Sequence, residues 1–175
     1  MNCVECGCGE RLEGGGPGRA AMSFLIGTGV AMLGYGGLTV ARGRPRWLPL
    51  WLTALTVWFT LCKYLICTRC EYFGEPCDFY YLGRWAAVLF ERQPERTLDA
   101  AGIIAEGSSA AVLQLLPVFS ALRKPAMLAR FLVLLALNQG AQLAICCRRC
   151  VERSSDPWKA STCPSYRLAR RIFSV

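Results

Sequence analysis

Apolar positions in this chain are gathered into four long runs, with polar residues concentrated between them. The first, 20–41, holds 22 residues without a charge between Arg19 and Arg42. At 1.5 Å of rise per residue such a run crosses a hydrocarbon core of about 30 Å, so it predicts a transmembrane helix. A second run, 47–68, is charged only at Lys63 and opens with Trp47 and Trp51, whose amphipathic rings suit a membrane interface. The third and fourth, 100–122 and 126–147, are interrupted by Glu106 and Arg130.

The links 42–46 and 123–125 leave room only for tight turns, so runs one and two, and runs three and four, predict antiparallel hairpins. The expected fold is therefore all-α: an integral membrane four-helix bundle made of two antiparallel helical hairpins, with Cys-rich loops on one face. Residues 1–19 read as a Cys- and Gly-rich tip and linker, 20–147 as the four-helix domain with an interfacial loop at 69–99, and 148–175 as a basic amphipathic tail. The opening MNCVECGCGERLEGGGPG lacks the basic start and apolar continuation of a signal peptide, and is expected to be retained. In the 69–99 loop, the stretch GRWAAVLF reads as an amphipathic helix lying on the membrane.

Composition agrees with the pattern. Hydrophobic residues make up 54% of the 175 positions and the mean hydropathy is +0.32, above the norm for globular proteins. The chain has no His, which excludes imidazole catalysis, His-ligated haem and mixed Cys/His zinc sites within it. A Ser or Cys nucleophile therefore has no His base, and phosphate-binding loops are missing as well. The net charge of +8 is expected to meet anionic lipid headgroups, notably through SYRLARRIFSV at the end of the chain. No aromatic and basic sheet or recognition helix suggests nucleic acid.

Eleven cysteines supply the candidate chemistry. Three CxxC pairs occur, Cys3 with Cys6, Cys67 with Cys70, and Cys147 with Cys150, where chance gives about 0.7. This spacing lets two sulfurs on one turn of backbone face a single ion, and two such pairs close a tetrahedral site. CTRC at 67–70 and CCRRC at 146–150 end the second and fourth runs, so Cys67, Cys70, Cys147 and Cys150 are the expected ligands if those ends adjoin. Cys77, Cys163, Cys3, Cys6 and Cys8 are further candidates, able to add a disulfide or to complete two three-sulfur sites. Arg69, Arg148 and Arg149 beside the pairs favour thiolates, which suits zinc first and an iron–sulfur cluster second. Cys62, Cys146 and Cys147 at the membrane margin are alternative palmitoylation sites.

An even number of crossings puts every thiol cluster on the face of the termini. That face carries fourteen of the twenty Lys and Arg, which makes it cytoplasmic by the positive-inside rule, although the three Arg of the 42–46 turn pull the other way because short loops count most. A cytoplasmic face keeps thiols reduced; the opposite face would make them disulfides.

Lys63, Glu106 and Gln142 lie 16, 17 and 16 residues from the far turns, all roughly 24 to 26 Å up the helices. A shared polar layer, with Lys63 facing Glu106, would suit a proton, quinone or ion path. The plainer expectation is that Lys63 snorkels and Glu106 sits among headgroups. Gln114, Asn138 and Gln139 lie deeper and are expected to join helices by hydrogen bonds. Small residues at Ser23, Gly27, Ala31, Gly34, Gly36 and Gly37 predict close packing of the first helix.

The function these features suggest is an accessory or docking subunit of a membrane complex, bearing a Cys-thiolate metal site and partnered by lipid and other membrane subunits, rather than an independent enzyme. The alternatives are a thiol–disulfide oxidoreductase acting through the CxxC pairs and a soft-metal transporter.

Overall fold

A computed structural model describes residues 19–69, 73–74, 82–93, 100–148 and 164–173. Every regular element among them is helical. Helix α1 spans Arg19–Gly43; a 3-10 turn at Pro45–Trp47 leads into α2, Leu48–Phe59, and α3, Leu61–Ile66. A second 3-10 turn, Cys67–Arg69, closes that run, and the short α4 covers Leu82–Leu89. Helix α5 is Ala100–Ala121, α6 is Pro125–Gln142 with a π turn at Leu143–Cys147, and α7 is Pro164–Phe173.

Four of these stretches, Ala20–Gly43, Pro45–Ile66, Ile104–Ala121 and Pro125–Cys147, are long and apolar enough to cross a membrane. Pro45, Pro49 and Pro125 stand at helix starts, where a missing N–H costs nothing and the fixed φ favours the first turn. Pro117 lies inside α5, buried.

Two of the predicted helices are not continuous. The 47–68 run breaks at Thr60, whose φ of −108° and ψ of −74° leave helical values. Both the Thr60 amide and its hydroxyl donate to the Thr56 carbonyl, at 2.9 and 2.6 Å, and hydroxyl bonding back along a helix bends it. Beyond the break, Cys62, Lys63 and Ile66 are buried. The 126–147 run widens into the π turn Leu143–Cys147, which ends on the first two residues of the CCRRC motif.

Helix α5 packs on α1, α2, α3 and α6, and α1 also packs on α6. Met22 and Leu25 meet Ala141 and Cys146 at one end, and Val40 joins Trp51, Ala54 and Leu113 at the other. Close approach depends on particular glycines. A Cβ at Gly36 would lie 3.2 Å from the Phe131 ring and 3.3 Å from Pro117, one at Gly37 would meet Trp51 at 3.1 Å, and one at Gly43 would overlap the Ser120 carbonyl. The outer part of the small-residue stripe does otherwise. Ser23, Gly27, Ala31 and Gly34 are exposed, and the two glycines have nothing within 4 Å of an added Cβ.

Candidate functional site

The second run carries its cation inward. Lys63 is 3% exposed, and its Nζ donates to Glu106 Oε1 of α5 at 3.1 Å. The same ammonium lies 4.4 Å from the centroid of the Trp58 ring, whose negative face adds a second attraction. The expectation of a snorkelling Lys63 is therefore corrected: its segment packs on α5, where the Glu106 carboxylate removes the reason to reach for water. Glu106 is half-buried, its side chain 29% exposed.

Beside the pair, Cys62 is fully buried with its sulfur 3.6 Å from Ser109 Oγ. The Ser109 hydroxyl also lies 2.7 Å from the Ala105 carbonyl. Burial removes Cys62 as an acylation site, and Cys146, 4% exposed, is withdrawn in the same way.

The pair forms part of the wall of a cavity of about 690 Å³. It occupies the half of the spans nearer the thiol-bearing ends. Ile26, Gly29 and Leu33 contribute from α1, Glu106, Gly107, Ala110 and Gln114 from α5, and Asn138, Gln139 and Gln142 from α6. Gly29, Gly107 and Ala110 make the space by having little side chain. Gln142 reaches the same cavity as the ion pair, as the shared depth of the three residues suggested.

Helix α4 completes the wall. Leu82, Trp85, Ala86 and Leu89 fall at i, i+3, i+4 and i+7, one face of a helix, and all four line the cavity. Trp85 and Leu89 are nevertheless 65% and 61% exposed. The segment after α4 is fastened to the second run. The Gln93 amide donates to the Thr68 carbonyl at 2.9 Å, its side chain donates to the Tyr64 hydroxyl at 2.9 Å, and Phe90 packs edge-on to Tyr64 with ring centroids 5.5 Å apart.

Of the deeper polar residues, Asn138 is 3% exposed and joins helices as expected. Its Oδ1 lies 3.3 Å from the Thr28 hydroxyl of α1, and its Nδ2 donates to Met32 Sδ at 3.7 Å. Gln114 and Gln139 instead line the cavity.

Among the proposed thiol ligands, Cys67 sits in the 3-10 turn that closes the second run and Cys147 ends the π turn that closes the fourth. Cys3, Cys6, Cys8, Cys70, Cys77, Cys150 and Cys163 lie outside the described residues. Among the described residues no three Cys, Asp or Glu side chains come together as a metal site would require. Sequence reasoning missed Trp58 and the lining role of α4; the spacing of Leu82, Trp85, Ala86 and Leu89 was the available signal for the latter.

No protein-family model, curated protein sequence or solved structure matches this chain.

Proposed function

We propose that this is an integral membrane protein, a four-helix bundle of two antiparallel hairpins, that binds a lipophilic molecule with a neutral polar head in the cavity between its spans. The observation that carries this reading is a 690 Å³ cavity whose mostly apolar wall holds the Lys63–Glu106 pair. Ligand sites commonly have this character, an apolar lining with a few convergent polar groups. The two formal charges in the wall cancel, and Gln114, Asn138, Gln139 and Gln142 offer only carboxamides. A charged head would bring an uncompensated charge into a low-dielectric site, whereas carbonyl or hydroxyl oxygens find both donors and acceptors there. A quinone or a long-chain alcohol has this chemistry.

Binding is tested by extracting protein purified in mild detergent and identifying the retained lipophile by mass spectrometry. About one equivalent should accompany the wild type. Gly107→Leu combined with Ala110→Phe should fill the cavity and lose it, and equal retention by both proteins would sink the reading.

A second reading rests on the sequence, where CxxC pairs begin at Cys67 and Cys147 as the second and fourth runs close. In it Cys67, Cys70, Cys147 and Cys150 hold zinc, or an iron–sulfur cluster, on a cytoplasmic face that docks to another membrane subunit. The two readings are compatible, since the cavity lies beneath that face.

A further inference from the structure

The ends of the spans away from the thiols carry an unbalanced charge. Arg42, Arg44, Arg46, Arg123 and Lys124 crowd into the two short turns there, with Arg130 a little further along α6. No Asp or Glu occurs anywhere in 19–70 or 107–151, the sequence around both turns. Among the described residues none of the five turn cations has an ion-pair partner. All twelve acidic residues lie elsewhere in the sequence, so the positive charge of the two turns has no acidic residue near it along the chain.

The turns are also held together. Lys124 Nζ donates to the Arg42 carbonyl at 2.8 Å, and Gly43 lies so close to the Ser120 carbonyl that no Cβ fits between them. Two chain segments 82 residues apart in sequence therefore present their cations as one patch. Arg42, Arg46, Arg123 and Lys124 are exposed, while Arg44 is half-buried, its guanidinium 4.5 Å from the centroid of the Trp47 ring. Helices α2 and α6 both start here, so two positive helix ends lie at the patch. Trp47 gives the patch an aromatic residue suited to the interface.

We propose that these two turns form one binding site for the phosphate of an anionic lipid headgroup, in whichever leaflet they face. Guanidinium groups match phosphate oxygens with paired N–H donors, and Trp47 holds Arg44 in place for such a contact. The site is separate from the cavity and does not depend on its ligand.

The test uses the full chain in detergent, where both ends are accessible, titrated with dihexanoyl phosphatidylglycerol, dihexanoyl phosphatidylcholine or inorganic phosphate and read by native mass spectrometry. Phosphatidylglycerol should bind at least tenfold more tightly than either of the others. Arg42→Gln, Arg46→Gln and Arg123→Gln together should lower that affinity at least tenfold. This variant leaves Lys124 and Arg44 in their contacts, and an unchanged thermal transition would show that it folds. The tail variant Arg167→Gln, Arg170→Gln, Arg171→Gln should retain the preference. Equal binding of the zwitterionic lipid, equal binding of free phosphate, or full affinity in the turn variant would each overturn the proposal.

Discussion

Lys63 and Glu106, 43 positions apart in sequence, meet at 3.1 Å on facing helices, one almost fully buried and the other partly open to a cavity. Removing either partner leaves a charge without compensation in an apolar surrounding, which is the costly way to disrupt a buried pair. Lys63→Met and Glu106→Leu should each lower stability by about 3 kcal/mol, whereas the double variant should lie closer to the wild type than either single one. Thermal unfolding in detergent of all four proteins measures the coupling. Additive losses would show that the pair contributes nothing as a pair.

The glycines of α1 divide into two groups with opposite expected behaviour. Gly43→Ala puts a methyl group against the Ser120 carbonyl and should cost about 2 kcal/mol through displaced backbone, while Gly27→Ala meets open space. In a helix, Ala is also favoured over Gly by up to about 1 kcal/mol, so Gly27→Ala should be neutral or mildly stabilising. The same unfolding assay separates them, and similar losses at both positions would contradict the packing described.

Much of the fold was legible because each span needs only a run of about 20 apolar residues, a local property of composition. Counting from the turns put Lys63, Glu106 and Gln142 at one height, and all three line the same cavity. Direction around the helix was not legible. Whether Lys63 meets Glu106 or reaches for water depends on helix rotation, which no local run of residues specifies; here the two meet at 3.1 Å. The cavity was hidden for a related reason. Gly29, Gly107 and Ala110 show in sequence only that they are small, and only the placement of neighbouring helices decides that the space beside them stays open.

Asn138 connects α6 to α1 through Thr28 and Met32. Hydrogen bonds between membrane helices average about 0.6 kcal/mol and reach about 1.7, because the unfolded chain also finds partners. A double-mutant cycle of Thr28→Val and Asn138→Leu should therefore give a coupling in that range. A value near zero would mean that the Thr28 hydroxyl is satisfied by the Leu25 carbonyl, 3.0 Å away, without help from Asn138.

Sidedness follows from where the basic residues count. Placing the thiol face in the cytoplasm predicts that an epitope added after Val175 is protected from protease in intact cells and cleaved only after permeabilisation. Accessibility in intact cells would reverse the orientation. The five cations of the two short turns would then be the residues that set it, and the cysteines would be expected as disulfides.

The thiolate reading makes the last prediction, and it rests on two sulfurs whose places are known. Cys67 and Cys147 each occupy the final, non-α turn of a span, so a metal clamped by both CxxC pairs would join the second span to the fourth at one end. Protein purified anaerobically should then carry about one zinc per chain, or the irons of a single cluster, by elemental mass spectrometry. Cys67→Ser combined with Cys147→Ser should lose most of that metal, since each pair would be left with one sulfur. It should also lower the unfolding temperature, because bound metal stabilises only the folded chain. Unchanged metal in the double variant would assign the ion to other cysteines. Metal-free wild type with paired, oxidised thiols would move the chemistry to disulfide exchange.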